Sequence, residues 1–330
     1  MKKILNAPSA YVDEMLAGVC AAYPTSYRLA GERVLARAGG TVPGKVGIVT
    51  GGGSGHLPVF LGYVGEGLLD ACAVGNVFAG PRVADCVSAL EAADGGAGVL
   101  ALYGNYGGDR MNFEMALEQL ESETLALTSV RVADDVASAP LAEREKRRGV
   151  AGMVFAFKIA GACAAGGGSL REVTAAARKA ADACRTIGVA LTPCTVPESG
   201  RASFEIADTD IEFGMGIHGE PGIWRGSLKS ADALTDEMLD LLLPELNMPQ
   251  GASTAVLVNS LGATPHEELF IVYRRVAESL GRRGIRIVMP LIGRYATSME
   301  MTGMSLTLMP LDGELERLLL APADCPFWKV

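Results

Sequence analysis

The stretch "KVGIVTGGGSGHLP" passes from a short apolar run straight into four glycines, a serine and a histidine. Such a run, bounded by glycine, reads as a buried strand over Lys45–Thr50. It would end in a loop of Gly51, Gly52, Gly53, Ser54, Gly55 and His56, which exposes backbone N–H groups. In parallel α/β sheets the loops at the carboxyl ends of strands build the ligand crevice. This stretch therefore constrains both the layering of the chain and where a ligand would sit. The pattern recurs. "GVLALYG" (Gly98–Gly104) and "TLALTSVRV" (Thr124–Val132) read as further strands, and "MNFEMALEQLES" spaces Phe113, Leu117 and Leu120 at helical intervals. In "SLREVTAAARKAADACRTIG", Ser169 and Glu172 fit a capping box and Gly188 is placed to end the helix. Strand–helix alternation of this kind implies α/β layers on a largely parallel sheet.

The later part of the chain has another rhythm. "SFEIADTDIEFGMGIHG" (Ser203–Gly219) alternates as antiparallel strands do, and "DALTDEMLDLLLPEL" is helical. "STAVLVNSLG" reads as a strand, "HEELFIVYRRVAESLGRRG" as an amphipathic helix and "IRIVMPLIG" as another strand. The expected fold class is α/β in two domains. Residues 1–190 form the first, a largely parallel mixed sheet flanked by helices, and 191–330 form a smaller mixed α/β domain whose C-terminal tail packs on the first.

Composition narrows the function. Of 330 residues, 49% are hydrophobic, enough for a sizeable core. No apolar run reaches the roughly 18 residues of a membrane span, and "MKKILNAPSAYVDEML" meets Asp13 and Glu14 too early for a secretory signal. With a net charge of −9, the chain has no basic face for nucleic acid. Its one basic cluster, "EREKRR", reads as a solvated helix face. Seven cysteines, odd in number and never spaced CxxC, fit a reducing cytoplasm rather than disulfides or zinc.

Two more glycine-rich turns follow apolar runs: "AVGNVFAGP" (Ala73–Pro81) and "LYGNYGGDRMNF" (Leu102–Phe113). In the latter, Asp109 stands either as a helix N-cap or as a proton acceptor. A third candidate comes from "GMGIHGEPGIW" (Gly214–Trp224), where His218 is set among glycines. It is either a polar loop residue or a group that a ligand approaches closely. Neither GxxxxGK[ST] nor GxGxxG occurs, so a nucleotide site in this chain is unsupported. The three histidines, His56, His218 and His266, lie far apart and form no HxxxH pattern, which argues against metal. If the loops converge, His56, Asp109 and His218 share one cleft.

Together, "GGGSGH", "GNYGGDRMNF", "RRGVAGMVFAFKIAGA", "TIGVALTPCTVP", "EFGMGIHGEPG", "VNSLGATP" and "YATSMEMTGMSLTL" resemble the dihydroxyacetone kinase substrate-binding subunit, over almost the whole chain and in order. The resemblance implies a homodimer that holds a short-chain ketose as a covalent hemiaminal on His218. It implies that Asp109 accepts the proton of the terminal hydroxyl during phosphoryl transfer, while His56 hydrogen-bonds the substrate. Backbone at Gly52 and Gly53, with Gly80 and Gly104, would contact the ligand. No cofactor is expected on this chain. ATP or ADP with Mg²⁺ would sit on a separate nucleotide-binding subunit, or phosphate would come from a phosphotransferase-system protein. Some relatives bind the ketose without phosphorylating it and act as transcriptional coactivators, which is the alternative reading.

Departures from the family pattern cluster near the expected cleft. Leu57 stands where GGGSGHEP has glutamate, Gly104 and Gly108 replace the lysine and threonine of KNYTGD, and "FAGPRV" replaces FxSPTP, with Gly80 and Arg82. These changes suggest either extra room, suited to erythrulose or another ketose longer than dihydroxyacetone, or positions that act through backbone atoms and tolerate a change of side chain. The segment "LNMPQGAS" also reads as shorter than is typical.

Overall fold

The computed structural model describes residues 2–121 and 125–330. Its first part runs α1 (Tyr11–Ala22), β1 (Tyr27–Gly31), β2 (Val34–Arg37), β3 (Gly47–Gly53), β4 (Ala71–Gly75), α2 (Val83–Ala93), β5 (Val99–Gly104), α3 (Gly107–Leu120) and β6 (Leu127–Val132). Two helices follow, α4 (Met153–Ala165) and α5 (Leu170–Ala183). The remainder is β7 (Arg185–Thr192), β8 (Asp210–Phe213), β9 (Trp224–Ser227), α6 (Ala231–Leu246), β10 (Ser253–Ser260), α7 (His266–Arg282), β11 (Arg286–Gly293), β12 (Thr302–Leu311) and α8 (Gly313–Leu319).

The strands make two six-stranded sheets, ordered β1-β2-β4-β3-β5-β6 and β11-β10-β12-β7-β8-β9. In the first, β3 runs parallel to β4 and β5, and β5 to β6, while β1 and β2 form an antiparallel edge. In the second, only β10 and β11 are parallel. The chain is thus mixed α/β, as expected, although the second sheet has as many strands as the first. The change of sheet comes after α5, because β7 already pairs with β12. The anticipated boundary at residue 190 falls inside β7.

Alternation along the strands builds the layers. In β5, Val99, Ala101 and Tyr103 face α2 and α3, while Leu100 and Leu102 face α4. In β10, Ala255 and Leu257 turn toward that same inner core, and Val256 and Val258 toward α6 and α7. Helices α4 and α5 therefore lie between the two sheets. A helix buried on all sides must be apolar nearly all round, and "MVFAFKIAGACAA" meets that demand apart from Lys158, whose buried Nζ donates to the Leu318 carbonyl at 2.8 Å. The C-terminal tail returns to the first part, where Asp324 pairs with Glu66 and Trp328 enters the inner core.

Local expectations fared unevenly. The capping box at Ser169 and Glu172 is present. However, α5 ends at Ala183, and Gly188 lies in β7, paired with Ser305. A Cβ at Gly188 would stand 2.6 Å from the Met215 carbonyl oxygen, so the close approach of the loop after β8 explains the glycine. Between Ser203 and Gly219 only Asp210–Phe213 is strand. Thr124, the first residue of the expected third strand, lies outside the described residues. All seven cysteines are free.

The basic run is not simply a solvated face. Its first residues form a 3₁₀ turn, Leu141–Lys146, but Arg147 is 1% exposed. Its Nη1 and Nη2 donate to Glu245 at 2.7 and 2.8 Å, and Arg185 Nε donates to the same carboxylate at 2.9 Å. Removing the acid would strand two buried guanidinium groups. Glu245→Ala is therefore expected to cost about 3–5 kcal/mol, read as a lowered urea midpoint with an unchanged m-value.

Candidate functional site

Three loops leave the carboxyl ends of the parallel strands β3, β4 and β5 and meet a fourth from the second sheet. Gly51, Gly52 and Gly53 are themselves strand residues, paired with Ala73, Val74 and Gly75. The chain then makes one 3₁₀ turn, Ser54–His56, that buries His56 completely. His56 Nδ1 lies 2.7 Å from the Thr297 carbonyl oxygen. A carbonyl only accepts, so Nδ1 carries the hydrogen and Nε2 the lone pair. Nε2 is buried without a hydrogen-bonding partner. Burial first, and then the neighbouring His218, push this imidazole down to about 3, so His56 is neutral.

The loop after β4 brings Phe78, whose ring lies 5.0 Å from that of His56. The loop after β5 brings Tyr106 and then α3. Tyr106 holds the N-cap position, and no side chain caps the helix. Asp109 is the third residue of α3, so the capping reading fails. Its Oδ1 is buried and unpartnered. Burial pushes the Asp109 carboxyl up to about 7, against the opposing charge of His218. An acid that titrates near neutrality is suited to taking and returning a proton.

His218 arrives from the turn between β8 and β9. Gly214 leaves β8 at φ +89°, and the loop closes where Ile223 N–H donates to the Phe213 carbonyl at 2.7 Å. Glu220 folds back beneath His218. Its Oε1 lies 3.0 Å from His218 Nδ1, and its Oε2 accepts from the His218 backbone N–H at 3.0 Å. Burial pulls the Glu220 carboxyl up, but the His218 hydrogen bond, with the charges of His218 and Arg148, outweighs it and holds it at about 2. An ionised carboxylate on Nδ1 fixes the hydrogen there and leaves Nε2 with the lone pair. The His56 and Tyr106 rings stand edge-on to His218 at 4.7 and 4.5 Å.

The glycines around His218 shape the turn. A Cβ at Gly216 would stand 2.5 Å from Glu220 Oε2 and 3.0 Å from the Arg148 guanidinium carbon. Gly219 takes a φ of +88°, a left-handed conformation that other residues adopt only with strain.

The other expected glycines are also enclosed by protein. A Cβ at Gly52 would strike the Phe60 ring, and one at Gly53 the Val77 carbonyl. At Gly80 it would lie 2.7 Å from Asp109 Oδ1, and at Gly104 3.0 Å from Met153 Sδ. Gly80 thus touches the site directly, while Gly52, Gly53 and Gly104 back it.

Sequence reasoning missed four contributors. Tyr106, Phe78 and Glu220 sit inside motifs whose other residues drew the attention. The fourth is the loop "TSM": Met299 N–H donates to the Gly55 carbonyl at 2.8 Å, and Ser298 Oγ donates to the Ile217 carbonyl. With the Thr297–His56 bond, this loop staples both histidine-bearing loops together. Among the described residues, no group of three or more His, Cys, Asp or Glu gathers to hold a metal ion, and no helix is long and apolar enough to cross a membrane.

A neutral buried histidine, an acid poised near neutrality and a second histidine backed by a carboxylate thus meet at one place, side chains whose chemistry suits acid–base and nucleophilic steps. The chain belongs to the Dak1 domain family, whose model matches residues 17–327. It is 44% identical, over all of both chains, to the dihydroxyacetone-binding subunit DhaK of the PTS-dependent dihydroxyacetone kinase 2 of Listeria innocua. It is 42% identical to a D-erythrulose kinase of Mycolicibacterium smegmatis, over all of this chain and 57% of that longer one. Among solved structures, the dihydroxyacetone kinase operon co-activator DhaQ superposes with a TM-score of 0.89 at 31% identity, covering 96% of this chain and 98% of its own.

Proposed function

We propose that this chain is the ketose-binding subunit of a dihydroxyacetone-type kinase, and that His218 captures the ketose covalently. The observation that carries the reading is the set of free atoms at one point. His56 Nε2 and Asp109 Oδ1 are buried without partners beside His218, whose Nδ1 is engaged by Glu220. In the capture step, Nε2 bonds to the carbonyl carbon as the C=O π bond breaks. The oxygen takes a proton from solvent, and the ring, still bearing its Nδ1 hydrogen, becomes a cation paired with Glu220. A polyol without a carbonyl cannot enter this reaction. His56 Nε2 then accepts a hydrogen bond from a substrate hydroxyl. Asp109 takes the proton of the terminal hydroxyl as that oxygen bonds to the transferred phosphorus and the phosphorus–oxygen bond to the donor breaks, ADP leaving where the donor is ATP. Gly107 and Gly108, at the start of α3, are exposed, so an incoming phosphoryl group meets open helix N–H groups.

The same reading includes a homodimer in the cytoplasm and a separate nucleotide-binding subunit, which carries ATP or ADP with Mg²⁺ or is recharged by a phosphotransferase-system protein. The ketose is short-chain, either dihydroxyacetone or erythrulose. The likeness to DhaQ favours a second reading, a ketose sensor that regulates transcription. Incubation with ketose, ATP and nucleotide-binding partner subunits separates the two. A kinase subunit yields ketose phosphate, whereas a sensor binds ketose and yields none. The enzyme reading also fixes a pH profile. Turnover should rise as Asp109 loses its proton near pH about 7 and level off above. A rate independent of pH between 6 and 8 (roughly one unit either side) would remove Asp109 as the base.

A further inference from the structure

We infer that Arg148 is a positioning residue for His218, acting through Glu220 to keep Nε2 free for attack. This rests on the reading of His218 as a nucleophile. Arg148 lies in the basic run that the sequence offered as solvated surface, yet its side chain is only 14% exposed. It is clamped from one side. Nε and Nη2 hold Asp135 Oδ2 at 2.8 and 2.7 Å, and Nη2 also donates to the Gly214 carbonyl at 3.2 Å. Asp135 is itself fixed, accepting from Ala137 N–H at 3.0 Å and donating its own N–H to the Arg148 carbonyl at 3.1 Å.

With those nitrogens engaged, Nη1 is left facing Glu220 Oε2 at 3.7 Å. That distance is too long for a hydrogen bond, so the interaction is one of charge. The result is an ordered row: Asp135, Arg148, Glu220, His218, alternating in sign up to the imidazole.

The chemistry of the row assigns the role. An ionised Glu220 accepts from Nδ1–H and leaves the lone pair on Nε2. A protonated Glu220 would instead donate to Nδ1, moving the ring hydrogen to Nε2 and removing the nucleophile. Against its burial, Glu220 is held ionised first by the His218 hydrogen bond, so Arg148 acts on where it stands: Nη1 keeps the carboxylate facing it beneath Nδ1, and Nη2, through the Gly214 carbonyl, braces the base of the His218 loop.

The test compares Arg148→Met and Arg148→Lys with the wild-type chain, using ¹⁵N-histidine NMR without ligand and ketose titration. Wild-type His218 should show the hydrogen on Nδ1. Arg148→Met should free Glu220 to turn away from Nδ1, so that the ring hydrogen redistributes toward Nε2, and weaken adduct formation on the order of ten- to hundredfold, as for groups that orient a ligating histidine. The rate at saturating ketose should change far less, and Arg148→Lys should recover most of the adduct. A methionine variant with a lowered melting temperature but unchanged tautomer and adduct would make Arg148 merely structural and overturn the inference. Should wild-type protein form no adduct with either ketose, the ketose reading fails instead, while the ligand-free tautomer comparison still decides what Arg148 does.

Discussion

His218→Ala is expected to abolish covalent ketose capture and to lower ketose affinity by about a hundredfold or more, close to 2.7 kcal/mol. The imidazole sits edge-on to His56 and Tyr106 and is held by Glu220. No neighbouring side chain can take its place: His56 is buried and faces the site with a nitrogen whose basicity burial has pushed down to about 3, and the chain's third histidine, His266, lies at the start of α7 against Gly293. The substitution leaves Glu220 without its Nδ1 partner, so some loss of stability accompanies it. Glutamine at position 218 separates the two effects, because its amide can still donate to Glu220 yet cannot add to a carbonyl. Binding that survived in either variant at wild-type strength would show that the ketose is held by hydrogen bonds alone.

Asp109→Asn should behave in the opposite way. The adduct depends on His218 and should persist, while turnover falls by about 10²–10⁴, the usual contribution of a general base. Asparagine preserves shape beside Gly80, where a larger change would disturb the contact between the two. The variant also carries a stability signature. The folded Asp109 carboxyl titrates at about 7 against 3.8 for the free group, so the folded state binds the proton more tightly. Its contribution to stability is therefore present at low pH, declines as pH rises between those values and is constant above them. Asparagine has no such dependence. Relative to wild type, the variant should gain stability across that window, measurable by chemical denaturation at several pH values. Near wild-type turnover in this variant would remove the base assignment.

The sequence revealed the loops better than the reasons for their residues. Glycine after an apolar run pointed to the right part of the chain but set the end of β3 three residues early: Gly51, Gly52 and Gly53 belong to the strand, where a Cβ at Gly52 or Gly53 would strike Phe60 or Val77. What surrounds such glycines is not legible, since sequence shows that a side chain is missing but not what occupies the volume instead. Arg147 and Arg148 were misread for a related reason. A run of charge is normally solvated, and the partners that make burial tolerable, Glu245 and Asp135, lie elsewhere in the chain. The placement of α4 and α5 between the sheets was not predicted either, since it depends on both sheets presenting apolar faces to the same helices. His56, Asp109 and His218 were legible as a set only because three strand ends and one hairpin bring them together. Thr297 and Ser298, which secure that meeting, gave no signal beyond their place in a resembling motif.

The most direct test of the account is ¹³C NMR of 2-¹³C-labelled dihydroxyacetone and erythrulose mixed with wild-type and His218→Ala protein. The account predicts a protein-bound tetrahedral C2 signal with at least one ketose in the wild type and none in the variant. No bound signal with either ketose, or a signal that persists without His218, would contradict it.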